Sequence, residues 1–179
     1  MSVIAFKVNG DKIQVAADGR AVIDDRIANE HFKKIIQISD NLIIGATGLA
    51  GSIGIYEKFV KANEPTFGML SNSTDAIPLF KRFKDYMVDN YGYSEDTLKE
   101  LGGFLVVNRR FHAVFYYDDA LTPYAVYDTE CDQFAFGSTG IYTSALIDCG
   151  IPIDEAIKKS AEKYTSINAN VTLLEIARR

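Results

Sequence analysis

Apolar and polar positions alternate from the first residues of the chain. Ser2-Val3-Ile4-Ala5-Phe6-Lys7-Val8 reads as a strand, and Asn9-Gly10 is a strong hairpin signal. Lys12 to Ala17 returns as a second strand that Asp18-Gly19 ends. A polar loop carrying Asp24, Asp25, Arg26 and Asn29 is expected next. "KKIIQIS" and "NLIIGATG" then form another strand pair around Asp40-Asn41. After "GLAGS" the period changes. Ile53, Ile55, Tyr56, Phe59 and Val60 recur at helical spacing, as do Ile77, Phe80, Phe83, Met87 and Val88. The second of these helices is expected to start near Thr74 or Asp75, with Pro78 tolerated in its first turn. The segment between the helices, "NEPTFGMLSNST", reads as a loop. "GGFLVVN", "FHAVFYY", "YAVYD" and "QFAFGS" are further strands. "TGIYTSALIDCG" and "PIDEAIKKSAEKYTS" are two closing helices, and "VTLLEI" is a last strand.

Four strands, two helices, four strands, two helices and one strand imply an α+β fold. Two antiparallel sheets of hairpins would pack face to face, with helix pairs on the outer faces, giving a four-layer α/β/β/α sandwich. The 179 residues are read as one domain spanning 1–179. A hydrophobic share of 47% is enough for a substantial core. The net charge of −5 argues against nucleic-acid binding, which needs clustered Lys and Arg. No apolar run reaches membrane-spanning length, and no signal-peptide pattern opens the chain, so a cytoplasmic location without membrane partners is expected. Cys131 and Cys149 are then expected as buried thiols and not as a disulfide. His31 and His112 have no Cys/His cluster around them, so neither a metal nor another cofactor is expected.

The early strand gives Ser2 a possible role. A serine hydroxyl is a weak nucleophile that needs a base. A free N-terminal serine supplies one, because the α-amine has an ordinary pKa of about 7.7–8.0. This requires removal of Met1. While Met1 is attached, the nitrogen of Ser2 is an amide and has no basicity.

Four stretches carry a family resemblance: "SVIAFKVNGDKIQVAADGR", "FKKIIQI", "ATGLAGS" and "FGSTGIYTSALI". In them the chain resembles the proteasome β-subunit family and its bacterial relative, the HslV peptidase. The resemblance implies the N-terminal-nucleophile (Ntn) hydrolase fold and five catalytic positions. Ser2 stands where the family has a nucleophilic Thr. Asp18 matches the Asp of the "DG" pair, Lys34 the catalytic Lys, Gly48 the oxyanion-hole Gly, and Ser138 the Ser of a "GSxG" turn. Taken singly, each has a plainer reading: a residue after the initiator, a turn aspartate, a strand-edge charge, a helix-entry glycine and an N-cap. The chain departs from the family in having Ser for Thr. It also lacks an Asp near the last helix, where "EKYTSINANV" offers Thr165 and Ser166 as substitutes and an HslV-like Asn168.

The implied activity is an N-terminal-nucleophile endopeptidase, a Ser variant of the threonine type. It would act on peptides or unfolded proteins within a homo-oligomeric ring or double ring. The alternatives are a silent ring or scaffold subunit that retains Met1, and a small-molecule amide hydrolase on the same fold. An ATPase unfoldase partner is implied by the family. This chain has no "GxxxxGK" motif, so the ATPase would be a separate protein. By the same resemblance, Ala21, Phe32, Ile36, Ala46, Ala50 and Gly54 would line the pocket for the residue before the cleaved bond. The apolar positions of 53–60 and 80–88 are candidates for contacts between subunits as well as for core, and periodicity favours core for most of them.

Overall fold

The structure, a computed structural model, describes residues 2–23 and 26–178. One sheet contains β1 (Val3–Asn9), β2 (Lys12–Asp18), β10 (Gln133–Gly137) and β11 (Val171–Ala177), in the order β10-β1-β2-β11. The other contains β5 (Ile35–Ser39), β6 (Leu42–Ala46), β7 (Phe104–Asn108), β8 (His112–Tyr117) and β9 (Pro123–Val126), in chain order. All pairings are antiparallel. The first strand therefore lies inside its sheet, and Ser2 is only 6% exposed.

Strand alternation builds the layers. Ile4, Phe6, Val15 and Ala17 meet Ile43, Leu105, Val107 and Val114 between the sheets. The intervening Val3, Ala5 and Ala16 face outward against Ile147, Ile153, Ala156 and Ile157. The last four lie on α5 (Gly140–Asp148) and α6 (Ile153–Lys163). On the far side, α1 (Ser52–Ala62) and α3 (Ser73–Tyr91) cover the five-stranded sheet through Tyr56, Phe59, Phe80, Phe83 and Met87. The expected four-layer sandwich is thus present. The apolar stripes of α1 and α3 are core of this chain and not a free surface, apart from Val88, which is exposed.

Several local expectations are corrected. The polar segment after Asp18 contains a small hairpin, β3 (Ala21–Ile23) and β4 (Arg26–Asn29). Its strands are short and β4 is fully exposed, so no alternating burial marks it in the sequence. Asp24 and Asp25 lie outside the described residues, as does Met1. The expected loop between the first two long helices holds α2 (Glu64–Met69), where Pro65 opens the helix and Phe67 anchors it in the core. A further short helix, α4 (Glu95–Lys99), is capped by Ser94, whose hydroxyl accepts from the Thr97 N–H at 3.2 Å. The cap of α3 is Asn72, accepting from the Asp75 N–H at 2.9 Å, and not Thr74 or Asp75. Both cysteines are free as expected, but neither is fully buried: Cys131 is half-buried and Cys149 is exposed just beyond α5.

Candidate active site

Three backbone features place Ser2. It precedes the central strand β1. Its carbonyl oxygen accepts from the Ser138 N–H at 2.8 Å and from the Ser138 hydroxyl at 3.2 Å. Its own nitrogen donates to Ser138 Oγ at 3.3 Å. The close approach depends on Gly137, at φ +103°, where any Cβ would collide with the Ser2 carbonyl. Gly137 has no obvious mark in the sequence beyond its place in the "GSTG" turn.

Asp18 ends β2 with 1% exposure and spends its whole carboxylate on this corner. Oδ1 accepts from the Val3 N–H at 2.9 Å and from Lys34 Nζ at 2.6 Å, and Oδ2 accepts from the Arg20 N–H at 3.0 Å. Lys34, 3% exposed, comes from the chain just before β5 and so ties one sheet to the other. Burial pulls its pKa below the ordinary lysine value. Asp18 opposes that shift by charge and hydrogen bond, and the nearby Arg20 charge adds to it.

Gly48 follows β6 with φ +87°. A side chain there would strike the backbone of Gly102, and the loop is fixed by Thr47, whose N–H donates to the Gly103 carbonyl at 3.0 Å. Thr47 Oγ1 also accepts from the Gly103 N–H at 2.9 Å. Gly48 is exposed on the wall of a cleft that also holds Ser2 and Lys34.

Of the expected pocket residues, Ala21, Phe32, Ala46 and Ala50 line this cleft, together with Arg20, Val22, Leu49 and Ile53. Ile36 does not line it; it lies within β5 and packs on the core beneath the helices. Gly54 does not either, being exposed on α1 with open space around it. Arg20 is the charged residue that sequence reasoning missed. Its guanidinium is forked onto Glu30, Nε to Oε2 at 3.2 Å and Nη2 to Oε1 at 2.9 Å, and also donates to the Thr165 carbonyl. Glu30 is held below its ordinary pKa first by the Arg20 hydrogen bond and then by Asn168. Asn168 accepts from the Gly19 N–H at 2.9 Å and donates to the Glu30 carbonyl at 2.8 Å and to its carboxylate. Near the last helix, then, the amide of Asn168 braces the site, while Thr165 contributes a backbone carbonyl.

Among the described residues no group of three or more His, Cys, Asp or Glu side chains is placed to hold a metal ion, and no helix is long and apolar enough to cross a membrane. A serine at the head of a central strand, beside a buried lysine–aspartate pair in a four-layer sandwich, is the arrangement of the Ntn-hydrolase fold. The chain belongs to the proteasome subunit family, whose model matches residues 1–99. Three solved structures share the whole fold. Eukaryotic HslV from Trypanosoma brucei is 17% identical, with 98% of this chain and 99% of that one covered and a TM-score of 0.71. Thiobacillus denitrificans BPH is 16% identical, with 99% and 98% covered and a TM-score of 0.77. BPH in complex with epoxomicin is 14% identical, with 99% of each chain covered and a TM-score of 0.73. No curated protein sequence matches the chain.

Proposed function

We propose that this chain is a peptidase subunit whose nucleophile is Ser2, freed by removal of Met1, and that it works in a homo-oligomeric ring. One observation carries the reading: Ser2 opens onto the same cleft as Gly48 and Lys34, which the buried Asp18 holds, while its nitrogen points to the Ser138 hydroxyl.

The chemistry follows from these positions. The neutral α-amine takes the proton of Ser2 Oγ as the oxygen attacks the scissile carbonyl carbon. The Lys34 charge disfavours a second positive charge nearby and so keeps the amine available as a base. The Gly48 N–H receives the negative charge that develops on the carbonyl oxygen. The amine then passes its proton to the leaving nitrogen, the C–N bond breaks, and Ser2 holds the acyl group as an ester. Water, deprotonated by the same amine, releases the acid and restores Ser2. Peptides and unfolded segments are the substrates, a reading supported by membership of the proteasome subunit family.

Intact mass and inhibitor labelling test this reading. The purified protein should lack Met1 and form a covalent adduct with epoxomicin, the inhibitor bound in one BPH structure. Ser2→Ala should abolish the adduct. A protein that keeps Met1 and takes no label would overturn the proposal.

A further inference from the structure

A second groove begins at Ser138, the residue that hydrogen-bonds both the nitrogen and the carbonyl of Ser2. It is an open groove walled by Ser138, Thr139, Ile141, Tyr142, Ala145 and Tyr164. Ile141, in the first turn of α5, is 91% exposed, the most exposed large apolar side chain among the described residues. Tyr142 and Tyr164 meet edge to face, with ring centroids 5.5 Å apart, and Lys163 Nζ lies 4.5 Å from the Tyr142 ring. Thr139 is buried, and its hydroxyl has no hydrogen-bond partner among the described residues.

Resting on the peptidase reading above, we infer that this groove receives the residue that follows the scissile bond, and that it selects an apolar or aromatic side chain there. Geometry and proton traffic both point to it. Ser2 lines the first cleft and Ser138 walls the second groove, and the 3.3 Å hydrogen bond from the Ser2 nitrogen to the Ser138 hydroxyl links the two. That nitrogen must reach the leaving amine to deliver its proton, so the leaving half of the peptide lies on the nitrogen's side of the bond. The cleft beside Lys34 and Gly48 takes the acyl half. The leaving half is thereby directed over Ser138, where the first wall it meets is Ile141 and the two tyrosines. An aliphatic or aromatic side chain finds apolar cover there, whereas an ammonium group would lose water and meet the Lys163 charge beside Tyr142.

A set of internally quenched peptides tests the inference. All share Leu before the cleaved bond and vary the following residue through Leu, Phe, Gly, Asp and Lys. Rates are divided by that of an amidocoumarin substrate, which has no residue after the bond, measured on the same preparation. Leu and Phe should exceed Gly and Lys by about tenfold in kcat/KM. Ile141→Glu, a change at an exposed position, should compress that ratio severalfold, and Tyr164→Ala should do the same. No release of amidocoumarin would defeat the peptidase reading itself. Release with a flat profile, or with a profile that Ile141→Glu leaves unchanged, would overturn the groove assignment alone. A flat profile accompanied by loss of assembly in Ile141→Glu on sedimentation would instead make this face an interface between copies of the chain, and would equally overturn it.

Discussion

Replacing Asp18 with Ala removes the acceptor for three donors at once: the Val3 N–H, the Arg20 N–H and Lys34 Nζ. A buried amide left without a partner costs about 1–3 kcal/mol, and breaking a buried ion pair by deleting one member costs about 3–5 kcal/mol in total. A loss of about 4 kcal/mol at pH 7 is therefore expected, a large part of the 5–15 kcal/mol typical of a domain. The loss should also depend on pH in a definite direction. Burial already lowers the Lys34 pKa while Asp18 opposes the shift. Without Asp18 the folded-state value falls further, while the unfolded value stays ordinary. Between the variant's folded value and the parent's, the variant's unfolded state binds more protons than its folded state, so the variant gains stability as pH rises. Over that interval both states of the parent keep Lys34 protonated, and its stability is flat with respect to this group. The deficit should thus shrink as the pH is raised above 7. Urea titrations at several pH values measure it, and the double variant Asp18→Ala/Lys34→Met supplies the control, in which the pH-dependent part disappears. A deficit under about 1 kcal/mol at pH 7, or one that stays constant with pH, would refute the assignment of Lys34 as a buried ammonium held by Asp18.

Gly137→Ala should destabilise the protein by at least about 2 kcal/mol and abolish inhibitor labelling, because the new methyl group drives β10 away from Ser2; urea midpoints and intact mass report the two effects. His112, with Nε2–H donating to the Cys131 carbonyl at 2.8 Å, is kept below its ordinary 6.5 chiefly by burial. Its unfolded state therefore binds the proton more tightly, and stability should fall as pH drops from about 6.5 toward the folded value, a loss that His112→Gln removes in denaturation at pH 5 and pH 8. Before the scissile bond, fluorogenic substrates with Leu or Phe should be cleaved at least about tenfold faster than those with Asp or Lys. The Arg20 charge in the cleft is already satisfied by Glu30, and apolar burial yields about 25 cal/mol per Å². Faster cleavage after Asp would show that Arg20 is free to act as a selectivity determinant.

The two-residue period of 3–8 and 12–17, the hairpin at Asn9-Gly10 and the helical period of 53–60 were legible in the sequence because each is set by neighbours along the chain. So was the sandwich, since strand groups separated by helix pairs leave two sheets with one buried and one helix-covered face each. The short elements were not legible. The hairpin at 21–29 and the turns of helix at 64–69 and 95–99 carry too few buried positions to leave a period, and only contacts such as that of Phe67 with the core hold them. The candidate site divides in the same way. Ser2, Asp18, Lys34, Gly48 and Ser138 could be marked in the sequence through the family resemblance of the stretches that carry them, whereas their places at strand ends and turns alone allow plainer readings. That Ser138 faces the Ser2 nitrogen, 136 residues away, depends on β10 pairing with β1, and no local pattern specifies that pairing. The pocket walls depended on tertiary structure most of all. Arg20 joins the cleft because Glu30 and Asn168 hold its surroundings, whereas Ile36 and Gly54 miss it by their direction along β5 and α1. Periodicity fixes which face of an element a residue occupies, but the depth and chemistry of a cleft are decided by which elements meet there.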